Sequence, residues 1–388
     1  AIGVILLLLL MIRFKMNGFI ALVLVALAVG LMQGMPLDKV IGSIKAGVGG
    51  TLGSLALIMG FGAMLGKMLA DCGGAQRIAT TLIAKFGKKH IQWAVVLTGF
   101  TVGFALFYEV GFVLMLPLVF TIAASANIPL LYVGVPMAAA LSVTHGFLPP
   151  HPGPTAIATI FNADMGKTLL FGTILAIPTV ILAGPVYARF LKGIDKPIPE
   201  GLYSAKTFSE EEMPSFGVSV WTSLVPVVLM AMRAIAEMIL PKGHAFLPVA
   251  EFLGDPVMAT LIAVLIAMFT FGLNRGRSMD QINDTLVSSI KIIAMMLLII
   301  GGGGAFKQVL VDSGVDKYIA SMMHGSNVSP LLMAWSIAAV LRIALGSATV
   351  AAITAGGIVA PLIATTGVSP ELMVIAVGSG SVIFSHVN

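Results

Sequence analysis

Charged side chains are scarce in this chain of 388 residues, because Asp, Glu, Lys and Arg together make up only 10% of it. A soluble domain carries about 25% charged residues, so this chain cannot cover a water-facing surface. Hydrophobic residues make up 58%, and the apolar runs approach the ~20 residues with which a helix crosses a bilayer. Ten-residue segments of alternating polarity, typical of a membrane barrel, are absent. We therefore predict an all-α polytopic membrane protein.

Cysteine is nearly absent as well, since the chain contains only one, Cys72. A single cysteine excludes an internal disulfide and a metal site built from several thiolates. We interpret Cys72 as a small apolar packing residue. The net charge of +5 is distributed over short loops, so it does not indicate a nucleic-acid partner.

Enzyme signatures are missing too. The sequence has no HExxH motif and no paired Asp residues inside an apolar segment. The run Gly301-Gly302-Gly303-Gly304 is not followed by the Gly-Lys-Ser/Thr of a phosphate loop, and we interpret it as close helix packing. We predict no enzymatic activity, no cofactor and no metal, and we keep an intramembrane enzyme as the alternative from another class.

The chain contains an internal repeat at a fixed distance. Asp71-Cys72-Gly73 recurs as Asp312-Ser313-Gly314, 241 residues later, and His145 recurs as His386 at the same distance. An offset that is constant over this stretch indicates two copies of one structural unit. In a chain this apolar, paired units with a site between them are typical of secondary transporters.

Each repeat is predicted to contain a re-entrant helical hairpin followed by a broken transmembrane helix. Proline blocks helical hydrogen bonding, so the Gly- and Pro-rich stretch 146–154 must interrupt a helix. The polar segment between the repeats is predicted to be a cytoplasmic linker. Repeat two is expected to be incomplete at its C-terminal end, because Asn388 corresponds to Phe147. Repeat one is predicted at 1–193, with its hairpin at about 91–126 (interrupted at Tyr108-Glu109) and its broken helix at about 130–163. The linker is predicted at 194–215. Repeat two is predicted at 216–388, with its hairpin at about 327–366 and its broken helix from about 370.

Positive charge predicts the orientation, because Lys and Arg favour cytoplasmic loops. Placing the basic loops of repeat one in the cytoplasm gives this repeat an odd number of full crossings, provided that 91–126 enters and returns on one side. The two repeats are then inverted, and the N-terminus is periplasmic. Two further segments, 38–48 and 278–289, are interpreted as short amphipathic helices on the membrane surface. Lys67 and Lys307 are expected to extend toward the interface, and Arg233 is expected to pair with Glu237 four residues later.

Three segments carry a resemblance to a known family. They are Tyr108-Glu109-Val110-Gly111, the run from Thr144 to Pro154 (THGFLPPHPGP) and Phe384-Ser385-His386-Val387-Asn388. They resemble segments of the gluconate permeases, and the resemblance covers essentially the whole chain. It implies a proton-coupled symporter that imports gluconate through the bacterial inner membrane, although the family also contains permeases for idonate and D-serine. The resemblance further implies elevator-type alternating access, a homodimer and the inverted layout predicted above.

An anionic sugar acid needs a polar site at mid-depth in the bilayer. The interior ends of broken helices supply free N–H groups and a partial positive charge there. Four interruptions mark this predicted site: 107–111, 144–154, 345–349 and 384–388.

The ionisable side chains at the interruptions are candidates for binding the substrate and for carrying the proton. Glu109 is costly at this depth unless it is paired or protonated, so we expect it to carry the proton, with a permanent structural pair as the alternative. Arg342 is expected to bind the substrate carboxylate bidentately, or else to form a structural pair. Histidines at the breaks could bind substrate or carry protons, and the alternative for them is a packing role. Hydroxyl and amide side chains at the breaks could bind the hydroxyl groups of a polyol, and the alternative for them is helix capping. The predicted substrate-binding residues are Tyr108, Thr144, His145, Gly146, His151, Arg342, Ser347, Thr349, Ser385, His386 and Asn388, and the predicted proton-coupling residues are Glu109, His145 and His151.

The main rival within the same fold is a sodium-coupled carboxylate carrier. Such a carrier needs oxygen cages at both hairpin tips, and Glu109 with its aromatic neighbours is a poor match for one. We therefore predict the proton as the coupling ion.

Overall fold

A computed structural model describes residues 2–194, 208–315, 328–345 and 347–383, and within these ranges it is helical without strands. This confirms the all-α prediction. The helices run as follows: α1 Ile2–Leu8, α2 Gly18–Met32, α3 Leu37–Asp71, α4 Gly74–Phe86, α5 Ile91–Ala105, α6 Tyr108–Ala126, α7 Leu130–Phe147, α8 Pro152–Phe161, α9 Met165–Ile181, α10 Phe216–Ile239, α11 Leu247–Leu253, α12 Pro256–Ala267, α13 Met279–Asp312, α14 Pro330–Leu345, α15 Ala348–Thr366 and α16 Pro370–Ser381.

Several helical stretches are long and apolar enough to cross a membrane. In the described ranges there are five, or six if a bent pair within α3 counts as one span. The five are Leu130–Phe161, Met165–Leu191, Phe216–Ile239, Pro256–Arg275 and Met279–Asp312. Helices α2, α5, α14 and α15 and part of α6 contain shorter apolar stretches, and the re-entrant hairpins stay a prediction.

The residues form two compact units, which are described separately. Unit 1 comprises Ala1–Leu57, Pro152–Thr168 and Ile293–Asn388, and unit 2 comprises Ile58–His151 and Leu169–Ile292. Each unit therefore takes segments from both predicted repeats, because α3 and α13 pass from one unit into the other.

Element boundaries recur at the distance found in the sequence. Helix α3 ends at Asp71 and α13 at Asp312, and Gly73 and Gly314 both have φ of 75°. The carboxylates of both Asp residues accept a hydrogen bond from the side chain four residues earlier, Lys67 at 2.8 Å and Gln308 at 2.9 Å. The opposite threading of the two halves stays a prediction.

The short helices predicted at 38–48 and 278–289 are not separate elements, and their location on the membrane surface stays a prediction. Both segments are the N-terminal parts of the long helices α3 and α13. Glycine weakens a helix but does not block its hydrogen bonds, and here it serves packing. A side chain at Gly47 of α3 would collide with the Gly304 carbonyl of α13, so the two backbones touch within unit 1.

The glycine run of α13 lies at a crowded contact, which confirms the packing interpretation. A Cβ at Gly303 would collide with Ile353 of α15, and a Cβ at Gly304 would collide with Thr51 of α3. Cys72 is likewise a packing residue: it is 7% exposed, and burial raises the pKa of its thiol to about 12.

The Gly303 contact predicts that alanine substitutions at two glycines of unit 1 have different effects on the stability of the protein. Gly303→Ala should lower the free energy of unfolding by about 1–3 kcal/mol, because the new methyl overpacks the contact with Ile353. Gly49→Ala should not, because a Cβ there meets no heavy atom within 4 Å. Thermal unfolding of both variants in detergent checks this, and Ile353→Ala should partly rescue Gly303→Ala. Equal midpoints for the two single variants would contradict the packing assignment.

Candidate functional site

Two interruptions in the helices of repeat one lie close to the predicted positions. Helix α5 ends at Ala105 and α6 begins at Tyr108, so the first break is at 106–107, just before the predicted Tyr108-Glu109. Leu106 is extended, with φ −109° and ψ 137°. Glu109 is the second residue of α6.

The second break is shorter than predicted. It covers 148–151 rather than 146–154, because α7 continues through Phe147 and α8 begins at Pro152. Pro152 and Pro154 fall in the first turn of α8, where N–H groups have no acceptor within the helix and proline is tolerated. Gly146 therefore lies in the last turn of α7.

The breaks bring two predicted histidines together in unit 2. The ring centroids of His145 and His151 are 5.3 Å apart, at 66° to each other. Tyr108 lies 6.1 Å from the His145 ring, and Phe107 lies 6.2 Å from the His151 ring. These four rings form what we call the histidine cluster (Phe107, Tyr108, His145, His151).

The tautomer of His151 follows from its partner. This side chain is 2% exposed, and its Nε2 lies 2.5 Å from the Gly103 carbonyl oxygen. A carbonyl only accepts hydrogen bonds, so Nε2 carries the proton and donates. In the neutral ring Nδ1 is then an acceptor, and within the described residues it has no hydrogen-bond partner.

The space beside His151 is small. A cavity of about 10 Å³ is lined by His151, Phe107, Pro150, Pro226 and Thr260, among others. That is room for about one water molecule, whereas small-molecule sites usually measure about 300–1,000 Å³. This cavity is therefore too small for a sugar acid in this conformation.

Thr144 uses its hydroxyl inside its own helix. The side chain is fully buried, and its Oγ1 donates to the carbonyl oxygens of Ala140 and Leu141, at 3.1 and 2.9 Å. It also packs against Gly103 of α5, where a Cβ would collide with it. In this conformation the hydroxyl proton is not directed at a substrate.

The remaining predicted residues lie in unit 1 or outside the described ranges. Arg342 is 6% exposed in the last turn of α14. Ser347 has φ −108° and ψ 122°, and its side chain accepts from the Val350 N–H and caps α15, while Thr349 is in the first turn of α15. The capping alternative thus holds for Ser347. Ser385, His386 and Asn388 lie outside the described residues.

Sequence reasoning missed several buried polar groups. The Gly103 carbonyl, which receives the His151 bond, was signalled only by Gly99 and Gly103 in the apolar helix α5, because small residues four apart permit close helix packing. Thr155 of α8 and Thr354 of α15 are fully buried, and their hydroxyls have no hydrogen-bond partner in the part of the chain that the structure describes. Threonine is common in apolar helices, so nothing distinguished these two.

Three predictions for charged residues have different outcomes. The Arg233–Glu237 pair is confirmed at 2.8 Å. Both lysines have partners within the protein, and their extension toward the interface stays a prediction. Lys67 pairs with Asp71 at 2.8 Å, and Lys307 donates to the Ile160 carbonyl at 2.8 Å. Ile160 is next to the end of α8, where carbonyl oxygens have no N–H donor within the helix and attract a cation.

The relatives found by comparison with known proteins are named as transporters or permeases. A family profile described as GntP family permease matches residues 1–388. A high-affinity gluconate transporter of Escherichia coli K12 is 98% identical over 388 residues, which is 100% of this chain and 89% of that protein. An L-idonate transporter of the same organism's Gnt-II system is 62% identical, over 100% of this chain and 88% of that protein. A gluconate permease of Bacillus subtilis is 49% identical, over 100% and 89%.

Two solved structures share the fold. The YdaH transporter of Alcanivorax borkumensis has a TM-score of 0.65, with 94% of this chain and 85% of that chain covered. MtrF of Neisseria gonorrhoeae, described among antimetabolite efflux pumps, has a TM-score of 0.69, with 95% and 84% covered. Both are 17% identical to this chain, so they show the fold alone.

Proposed function

Because this chain belongs to the GntP permease family, we propose that it is a secondary active transporter that imports gluconate together with protons. The observation that carries the proposal is the 98% identity, along the full chain, to a named gluconate transporter. The relatives named above are all transporters or permeases, and none is an enzyme.

The proposed architecture is two inverted repeats around one site. The recurrence of element boundaries supports two copies, and the odd number of predicted crossings in repeat one supports the inversion. Transport of elevator type, a homodimer and the bacterial inner membrane are proposed from the family resemblance, and a periplasmic N-terminus is proposed from the positions of Lys and Arg.

The proposed substrate site uses helix ends at the breaks. Helices α6 and α15 begin directly after interruptions, so their first N–H groups and partial positive charge suit an anion. Arg342 would bind the carboxylate through two parallel hydrogen bonds, and Thr349 would bind sugar hydroxyls. We assign the same role to Thr144 and Ser347 in a conformation that releases their present bonds, and to Ser385, His386 and Asn388.

The proposed proton path uses Glu109 and the histidine cluster. Nδ1 of His151 is an acceptor without a hydrogen-bond partner in the described ranges, so it can take a proton while Nε2 keeps the Gly103 bond. Two charged imidazoles with centroids 5.3 Å apart would repel strongly in a buried site. The pair therefore carries at most one positive charge at a time, so it can pass a proton on but cannot accumulate two.

Uptake of labelled gluconate into proteoliposomes tests the function. An inward proton gradient should drive accumulation without sodium, and a sodium gradient at fixed pH should not. The opposite result would favour the sodium-coupled carboxylate carrier. Competition with idonate and D-serine at equal concentration would determine the substrate, because the idonate transporter is 62% identical to this chain. If unlabelled idonate inhibits the uptake of labelled gluconate more strongly than unlabelled gluconate does, then idonate and not gluconate is the preferred substrate.

A further inference from the structure

An exposed basic surface lies in unit 2, and we propose that it binds the headgroup of an anionic phospholipid. Its four cations come from two parts of the chain. Lys85 is in the last turn of α4, and Lys89 is in the short 3₁₀ turn before α5. Arg189 and Lys192 follow α9. All four side chains are exposed, and we call them the basic surface.

Contacts at the start of α7 join the two parts of the basic surface. The Gln92 side chain of α5 donates to the Tyr132 carbonyl oxygen of α7 at 2.9 Å, and Gln92 is only 8% exposed. The Lys192 ammonium lies 5.7 Å from the centroid of the Tyr132 ring, within the ~6 Å over which a cation is attracted to an aromatic face. Because Lys89 precedes Gln92 by only three residues, the Lys192 charge is held next to the basic turn before α5.

The segments that form the basic surface contain no acidic residue. The sequence has no Asp or Glu at 74–105, 127–147 or 165–194, which include α4, α5, α7 and α9. None of the four cations forms an ion pair with a described residue. The following segment, 195–207, contains two acidic residues and two lysines, so it adds no net charge. The surplus at this surface is therefore positive.

The other acidic residues that could oppose this charge lie at the far ends of the same helices. Glu109 is the second residue of α6, and the end of α6 before α7 is about 26 Å away along the helix. Glu210 pairs with Arg77, which lies about 12 Å along α4 from Lys85. Both distances exceed the screening length of about 8 Å at physiological ionic strength, so these carboxylates do not neutralise the basic surface.

Apolar and aromatic side chains indicate that the ligand is a lipid. The membrane-length stretch Met165–Leu191 ends directly before Lys192. Phe190 is 78% exposed, Tyr187 53% and Trp93, at the start of α5, 38%. Trp and Tyr are enriched at membrane–water interfaces, and basic pockets at the ends of membrane helices bind anionic headgroups. A phospholipid can meet the cations with its phosphate and Phe190 with its acyl chains, which a soluble phosphate cannot.

Quenching of Trp93 fluorescence by brominated phospholipids tests the site. The purified protein carries Trp221→Phe and Trp335→Phe, so that Trp93 is its only tryptophan, and it is reconstituted into phosphatidylcholine nanodiscs. We expect brominated phosphatidylglycerol to quench Trp93 at a lower mole fraction than brominated phosphatidylcholine does. Lys192→Gln should reduce this preference about fivefold, which is the effect of removing one cation near an anionic lipid.

Matched variants separate a headgroup site from general attraction to a charged bilayer. Lys192→Arg should keep the preference, because it retains the charge and the attraction to an aromatic ring. Lys242→Gln removes an exposed charge elsewhere in unit 2 and should also leave the preference unchanged. Arg189→Gln replaces Lys192→Gln should the latter fail to fold.

Three results would overturn the proposal. The first is equal quenching by the two lipids in the protein with its basic surface intact. The second is an equal loss of preference in Lys242→Gln and Lys192→Gln. The third is displacement of phosphatidylglycerol by inorganic phosphate at constant ionic strength, which would make a soluble phosphate the ligand. The readout is lipid binding and not transport, so it stands whatever the substrate and the coupling ion prove to be.

Discussion

Glu109→Gln is expected to abolish the accumulation of gluconate that a pH gradient drives, while exchange of labelled for unlabelled gluconate persists. A one-unit pH gradient coupled to one proton supports about tenfold accumulation, since each unit is worth ~1.4 kcal/mol. Glutamine keeps the size of the side chain and cannot change its protonation state, so the accumulation ratio should fall to about one.

Matched variants separate a proton role for Glu109 from a structural one. Glu109→Asp should keep part of the accumulation, because it retains the carboxyl group. Glu251→Gln should behave as the wild type, since Glu251 is an exposed residue of α11. Intact pH-driven accumulation in Glu109→Gln would remove Glu109 from the proton path, and loss of exchange as well would assign it to substrate binding or folding.

Arg342→Lys is expected to raise the gluconate KM by roughly tenfold to a hundredfold. Lysine keeps the charge but loses the planar fork that binds a carboxylate through two bonds, and a hydrogen bond to a charged group contributes about 1.5–3 kcal/mol. Initial uptake rates over a range of gluconate concentrations measure the change. Arg342 is only 6% exposed, so a change in its head group is not compensated by bulk water.

The control for Arg342 is an arginine with a known structural partner. Arg233→Lys replaces a guanidinium that pairs with Glu237 at 2.8 Å, and it should leave KM unchanged. If Arg342→Lys lowers the thermal midpoint and leaves KM as in the wild type, then Arg342 forms a structural pair and the substrate role is wrong.

The histidine cluster shows what the sequence could predict. Consecutive prolines before His151 must end a helix, and a hydrophobic run before His145 must form one, so both rings were expected at one break. Their mutual distance also depends on how closely α5 approaches α7, which small residues at Gly99 and Gly103 permit. Sequence patterns indicate such small residues but not which helix they face.

Other features depended on tertiary contacts and could not be predicted. Lys307 bonds the Ile160 carbonyl because α8 ends beside α13 in unit 1, and the two residues are far apart in the chain. The continuity of α3 and α13 was missed because glycines such as Gly47 resemble helix breakers until their close contacts are known. The bonds that the Gln76 amide exchanges with the backbone of Phe208 in the linker were likewise hidden, since a polar, Pro-containing segment predicts only exposure.

The account depends on two halves that pass through the bilayer in opposite directions. Cysteines at Lys89 and Val328 test this in a Cys72→Ala background, because both positions are exposed and lie in corresponding loops of the two repeats. A membrane-impermeant maleimide applied to intact cells should label Val328→Cys at once and Lys89→Cys only after permeabilisation. Labelling of both from the same side would contradict the inverted architecture.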